Sequence, residues 1–106
     1  MTGPAVVQGQ IWKAVSPLAG QEATIVILDA APGMLERRRI LAARVRPERE
    51  VPQAMRLLAV PTSDGQTVAV YDIAAFDKAW FTELTGALTE DELGRVKAAL
   101  AARFDL

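Results

Sequence analysis

Two residue types that carry much of protein chemistry are missing, since the 106 residues include no cysteine and no histidine. Disulfides, zinc sites built on Cys and His, and catalysis by a thiolate or an imidazole are therefore excluded. The chain also has no glycine-rich phosphate loop and no cluster of metal ligands, so we expect no cofactor and no metal site. The lack of disulfides predicts a cytoplasmic protein.

Long hydrophobic runs are missing as well. The longest apolar stretches are only a handful of residues, too short to cross a membrane. Met1 to Gln10 has neither a basic run nor a long apolar core, which argues against a secretory signal. The composition, 51% hydrophobic and 24% charged, is that of an ordinary globular protein. We therefore expect residues 1–106 to form one domain, with no membrane partner.

The net charge of −1 conceals two regions of opposite sign. Arg37 to Arg56 holds seven arginines and two glutamates, a local net charge of +5. Asp72 to Glu92 holds six acids and one lysine, a local net charge of −5. This asymmetry fits a basic binding face beside an acidic one, and it fits solvated strand ends and a helix N-terminus equally well.

The apolar pattern predicts several short strands followed by one helix. Asp64-Gly65 is a strong hairpin signal between the fourth and fifth strands. Asp72–Lys78 is ambiguous between a turn of helix and a loop. The predicted strands are Gln8–Ala14, Ala23–Leu28, Arg38–Val45, Met55–Val60, Thr67–Tyr71 and Trp80–Thr82.

The C-terminal part predicts an amphipathic helix from about Thr89 to Phe104. Thr89 and Glu92 have the spacing of a capping box, in which each side chain bonds the other residue's backbone N–H. Short strands joined by turns and followed by a helix predict an α+β, mainly β fold, a small and mostly antiparallel barrel or sheet. The apolar stripe of the helix consists of Leu93, Val96, Leu100 and Phe104.

Two arginines at the end of the third predicted strand are the most informative polar residues. Arg44 and Arg46 are two positions apart, so they project from the same face. Such a pair can bind or stabilise a phosphate. The competing interpretation is a solvated strand end, with the arginines paired to Glu48 or Glu50.

Two further groups have a structural and a functional interpretation. Trp12 and Trp80 can stack on bases, although tryptophans in a domain this small are more often in the core. Asp72 and Asp77 form a carboxylate pair at a strand exit, where turn formation is the favoured interpretation.

Taken in order, these segments resemble one known family. Gly9–Trp12, Ser16–Glu22 and Thr24–Leu28 are similar to the opening strand, first long loop and second strand of the MazF/PemK plasmid-maintenance toxins. Val68–Asp72 followed by Gly86–Leu93 resembles that family's closing pattern of strand, aspartate, short strand, Gly-x-Leu and terminal helix. The resemblance covers most of the chain.

The resemblance implies a Src-homology-three-like barrel of about five to six strands with a C-terminal helix, usually a homodimer. It implies the growth-inhibiting toxin of a type II toxin–antitoxin system, bound by an antitoxin peptide, that cuts single-stranded RNA without a metal. In the family, an arginine at the mouth of the second strand stabilises the phosphorane and a Thr or Ser at the end of the third strand completes the site. The RNA 2′-hydroxyl is the nucleophile.

The sequence departs from the family at both site positions. The arginine should fall near Gln21-Glu22-Ala23 and the hydroxyl near Arg46, and neither is found. Since loss of one oxyanion donor costs about 3 kcal/mol, loss of both groups is expected to remove most of the rate. The resemblance therefore leaves the catalytic residues unidentified. The candidates for catalysis are Arg44, Arg46 and Thr24, and the candidates for RNA binding are Arg44, Arg46, Gln21 and Trp12.

Two alternatives remain open. The related CcdB toxins share the fold, need no catalytic residue and poison DNA gyrase through the terminal helix and last residues. The arginine-rich stretch Asp29–Val45 and Phe104 are compatible with that activity. The second alternative is a catalytically degenerate barrel that binds an antitoxin peptide.

Overall fold

The computed structural model describes residues 6–18, 20–30 and 38–105, so the Pro32-Gly33 break, Arg37 and Leu106 lie outside the described residues. The strands are β1 (Gln10–Val15), β2 (Glu22–Ile27), β3 (Arg39–Pro47), β4 (Ala59–Pro61), β5 (Gln66–Asp77) and β6 (Phe81–Ala87), and the α-helix is α1 (Glu90–Arg103). The described strands form one antiparallel sheet in the order β4-β5-β3-β2-β1-β6. The predicted mainly β fold with a C-terminal helix is confirmed.

The sheet contributes to two hydrophobic clusters. Alternate residues of β2 divide between them, because successive side chains of a strand point to opposite faces. Ile25 and Ile27 belong to the first cluster and Val26 to the second. Val96 and Ala99 of α1 cover the second cluster. Among the described residues, no helix has the length and apolarity needed to span a bilayer.

The N-terminus of α1 is held by the predicted capping box. Thr89 Oγ1 accepts a hydrogen bond of 3.1 Å from the Glu92 N–H, and Glu92 Oε1 accepts one of 2.9 Å from the Thr89 N–H. The second carboxylate oxygen of Glu92 accepts from the Ser63 N–H at 2.8 Å. One buried carboxylate therefore caps the helix and joins it to the β4–β5 hairpin, whose Gly65 takes a positive φ of 82°.

Three predicted segments differ from the structure. Met55–Val60 is wrong as a strand for most of its length, because Gln53–Leu58 is a 3-10 helix and only Ala59–Pro61 pairs with β5. Leu57 is 91% exposed and Met55 is also exposed, whereas Leu58 packs against the second hydrophobic cluster and Val60 is buried in it. Asp72–Lys78 is neither a helix turn nor a loop up to Asp77, because it continues β5, and residues 73–77 pair with β3. The predicted Trp80–Thr82 strand starts at Phe81 and runs on to Ala87.

A large irregularity in β5 shapes the end of the sheet. Ala43 of β3 pairs with Ile73, but the next residue, Arg44, pairs with Ala69. Residues 70–72 of β5 thus have no partner in β3, which bends the strand. The Val70 carbonyl accepts a hydrogen bond of 2.7 Å from the Arg103 guanidinium of α1, so the last turn of the helix satisfies part of this bulge.

Candidate functional site

A groove of about 590 Å³ lies where the loop between β1 and β2 meets the end of β3. The loop and β2 contribute Ser16, Gln21, Glu22 and Thr24, and β3 contributes Arg44 and Arg46. Phe76 of β5 and Trp80, the last residue of a 3-10 helix at Lys78–Trp80, form part of its wall. We call this cavity the arginine groove.

The arginine groove brings together four of the five residues selected from the sequence. Gln21, Thr24, Arg44 and Arg46 all line it, although Gln21 and Arg46 are far apart in the chain. Their convergence follows from the antiparallel pairing of β2 with β3, which sets Ile25 opposite Arg44. The remaining candidate, Trp12, does not line the groove.

Trp12 belongs to the first hydrophobic cluster. It is 8% exposed, and its ring centroid lies 5.6 Å from that of Phe81. Its indole N–H donates to Gln10 Oε1 at 3.1 Å. The tryptophan in the groove wall is instead Trp80, which is half-buried.

Both arginines bind one carboxylate, that of Asp72. Arg44 Nη1 lies 3.1 Å from Asp72 Oδ1 and Arg46 Nη2 lies 2.6 Å from Oδ2. The competing interpretation, in which the arginines pair with Glu48 or Glu50, is wrong for Glu48, which bonds Arg56. Glu50 acts on Arg46 through its charge, behind the hydrogen bond to Asp72. The turn interpretation of Asp72 is also wrong, because this residue ends the bulge of β5, and the bulge carries it towards β3.

The contacts between Asp72 and Arg46 favour the charged form of both groups. Burial raises the pKa of Asp72, but the hydrogen bond from Arg46 and the charges of both arginines outweigh it, so the pKa is lowered. The hydrogen bond to Asp72 in turn raises the pKa of Arg46. Arg44 and Arg46 share the one carboxylate of Asp72, and each guanidinium has further N–H donors beyond the one that contacts it. Glu22 also lines the groove and offsets part of the positive charge.

Arg44 has a second restraint. Its guanidinium carbon lies 5.2 Å from the centroid of the Phe76 ring, a cation–π contact. Phe76 is buried in the first hydrophobic cluster, so the ring is fixed by packing. The result is a guanidinium held from two sides at the groove wall, which suits an anion of defined geometry.

The other groove groups set limits on the chemistry. The position where the family pattern has an arginine is occupied by Gln21, Glu22 and Ala23, which all line the groove. The hydroxyls available are those of Ser16 and Thr24. Within the described ranges, no group of three or more acids is placed to hold a metal ion. The groove can therefore bind an anion through Arg44 and Arg46 and offer hydroxyls beside it.

Asp72, Phe76 and Trp80 were not selected as site residues from the sequence. Asp72 reaches the two arginines of the groove through a bulge that has no sequence signature. Phe76 and Trp80 are ordinary core candidates by composition, and only the tertiary structure separates Trp80 from the fully packed Trp12.

The solved structures reported below have the same fold as this chain. The chain is similar to a mycobacterial endoribonuclease in complex with its cognate antitoxin, with a TM-score of 0.82, 17% identity, and 96% of this chain and 97% of that chain covered. The Mycobacterium tuberculosis toxin MazF-mt6 aligns at a TM-score of 0.77 and 14% identity over 92% of this chain and 97% of that one. The chain has the fold of the MazF toxins.

A MazE–MazF structure from Deinococcus radiodurans aligns at a TM-score of 0.79 and 13% identity, with 97% of this chain and 98% of that one covered. The sequence matches no family model and no curated protein. The resemblance to MazF toxins noted from the sequence is thus confirmed at the level of the fold, over nearly the full length of each neighbour.

Proposed function

We propose that this chain is a MazF-like toxin of a type II toxin–antitoxin system and acts on single-stranded RNA in the arginine groove. The observation that carries the proposal is the pair of guanidinium groups, Arg44 and Arg46, at the wall of a groove in the fold of the MazF toxins. The pair lies on β3, next to the strand end where the family pattern has its arginine. A cation from the neighbouring strand replaces the missing one.

The proposed reaction is metal-independent cleavage. The 2′-hydroxyl of one nucleotide attacks the adjacent phosphorus, the bond to the 5′-oxygen breaks, and a cyclic phosphate and a free 5′-hydroxyl result. Arg44 and Arg46 stabilise the negative charge that develops on the phosphorane oxygens. Thr24 is the hydroxyl that completes the site, and Gln21 contacts the RNA beside it.

The partners proposed are an antitoxin peptide and a second copy of the chain, in a cytoplasmic protein with one domain. The antitoxin is supported by the two neighbours that were solved as toxin–antitoxin complexes. A homodimer is the commonest closed assembly for a small protein with edge strands. Sedimentation should show a dimer, and a monomer at high micromolar concentration contradicts this part of the proposal.

The test of cleavage compares the parent with an Arg44→Ala/Arg46→Ala double variant. Induced expression of the parent should arrest growth and produce discrete ends on cellular RNA in primer extension. Purified parent should cut single-stranded RNA in EDTA, and the double variant should be at least about 100-fold slower. Arg95→Ala on α1, whose partner Asp91 is also exposed, is the matched control and should cut at the parental rate.

The competing function is that of a non-enzymatic gyrase poison. One observation favours it: Phe104 is 57% exposed and lines an apolar groove of about 290 Å³ with Leu41 and Leu100. That function predicts growth arrest without RNA cleavage, and loss of the arrest on removal of Phe104–Leu106. Cleavage that persists after this trimming excludes it.

A further inference from the structure

The two tryptophans of the chain occupy different environments. Trp12 is packed in the first hydrophobic cluster, and its indole N–H is used by Gln10. Trp80 packs against the edge of the same cluster and is only half-buried. Part of its ring forms the wall of the arginine groove, the wall that also carries Phe76 under the Arg44 guanidinium.

Backbone contacts on the preceding residues hold Trp80 in place. Asp77 Oδ1 accepts from the Ala79 N–H at 3.0 Å, which caps the 3-10 helix at Lys78–Trp80. The Lys78 N–H donates to the Arg38 carbonyl at 3.0 Å. The Asp77 carboxylate also bonds Arg38 at 2.8 Å. These contacts fix the backbone of the 3-10 helix that carries the Trp80 ring.

A nucleotide has the chemistry that this wall can recognise. Its phosphate requires cations, which Arg44 and Arg46 supply, and its base requires an apolar, aromatic surface for its π-face. Both surfaces line one groove here. A base inside a duplex is already stacked on its neighbours, so only an unpaired base can use the ring.

We propose that Trp80 is the base-stacking residue of the groove: a nucleotide whose phosphate contacts Arg44 and Arg46 lays its unpaired base on the indole ring. The inference rests on the proposed RNA function and adds the subsite for the base. Stacking on a ring tolerates every base, so Trp80 contributes affinity and selects single strands over duplexes.

Tryptophan fluorescence tests this directly, because the two rings can be separated by substitution. Trp12→Phe leaves Trp80 as the sole indole, and Trp80→Phe leaves Trp12. The probe is a short oligouridylate with 2′-O-methyl groups, which the RNA's own 2′-oxygen cannot cleave. Titration should quench the fluorescence of Trp12→Phe and leave that of Trp80→Phe unchanged. A matched duplex should quench neither.

Affinity gives a second, independent readout. Trp80→Ala should bind the oligouridylate about tenfold more weakly than the parent, a change of about 1.4 kcal/mol. An abasic oligomer of the same length should bind the parent and Trp80→Ala equally, since it has no base to stack. Thermal denaturation checks that Trp80→Ala and Trp80→Phe are folded. If Trp80→Ala does not fold, Trp80→Phe is measured in its place, since it keeps an aromatic ring.

The outcomes separate this inference from the proposed function. Salt-dependent binding that needs Arg44 and Arg46 but leaves Trp80 fluorescence unchanged overturns the stacking subsite alone. Quenching that persists in Trp80→Phe and is absent in Trp12→Phe shows that the base contacts Trp12. That result also overturns the Trp80 subsite and leaves the proposed RNA function intact. No RNA binding at all overturns both. Quenching of Trp80 by an antitoxin peptide and not by RNA assigns the groove to a protein partner and also overturns the inference.

Discussion

Glu92 and Asp72 have similar electrostatics, but only the role of Glu92 could be predicted from the sequence. Glu92 and Asp72 both have a lowered pKa and both accept two hydrogen bonds. Glu92 bonds its own helix terminus and a neighbouring loop, a role that Thr-x-x-Glu spacing announces in the sequence. Asp72 bonds two arginines of another strand across a bulge. Local signals specify the scaffold, whereas the site depends on long-range placement.

Acid should produce the largest loss of stability, because it protonates both kinds of carboxylate together. The pKa values of Asp72, Asp77 and Glu92 are lowered in the folded protein, so the unfolded state binds more protons as the pH falls. The stability they contribute is complete above their unfolded pKa values and is lost between about pH 5 and pH 1. Urea midpoints measured across this range should fall steadily, and a flat profile contradicts the assigned contacts.

Among the polar contacts of the helix N-terminus, Glu92→Ala should give the largest loss of stability. It removes the acceptor for the Thr89 and Ser63 N–H groups, and we expect a loss of about 2 kcal/mol in the free energy of unfolding. Thr89→Ala, which removes only one capping bond, should lose about 1 kcal/mol. Chemical denaturation measures both. If Glu92→Ala loses more free energy of RNA binding than free energy of unfolding, Glu92 serves the site, and the contrast drawn between Glu92 and Asp72 is wrong.

Asp72→Asn should show the opposite pattern, with a small effect on stability and an effect on the groove. The carboxylate competes with a phosphate for the same two guanidinium groups, and it is 26% exposed. We expect a stability loss of about 1 kcal/mol or less and tighter binding of single-stranded RNA at low salt. Asp91→Asn on α1 is the control. Weaker RNA binding by Asp72→Asn is evidence that Asp72 orients the arginines and does not compete with RNA.

The sequence predicted the elements whose signals lie within a few residues of each other. The capping box, the Asp64-Gly65 hairpin and the buried strand around Ile25 are all of this kind. The prediction for Met55–Val60 was wrong because apolar composition does not show whether a segment faces the core, and Leu57 faces solvent. Propensity is a weak guide wherever tertiary packing decides the outcome.

The candidate site was partly predictable for the same reason. Alternation along one strand was enough to place Arg44 and Arg46 on one face, and both line the groove. Their partner Asp72 was missed because residues 70–72 form a bulge, which shifts the register of β5 in a way that composition does not encode. Trp80 was not separated from Trp12 because the burial of each ring depends on a cluster built from β1, β2, β3, β5 and β6.

The salt dependence of RNA binding tests the central claim most directly. If Arg44 and Arg46 hold a phosphate, the affinity of the parent for short single-stranded RNA falls linearly on a log–log plot against salt. Arg46→Ala should bind more weakly with a salt slope smaller by about one, whereas Arg95→Ala should match the parent. An Arg44→Ala/Arg46→Ala variant that binds RNA as tightly as the parent, with the same slope, would contradict the account.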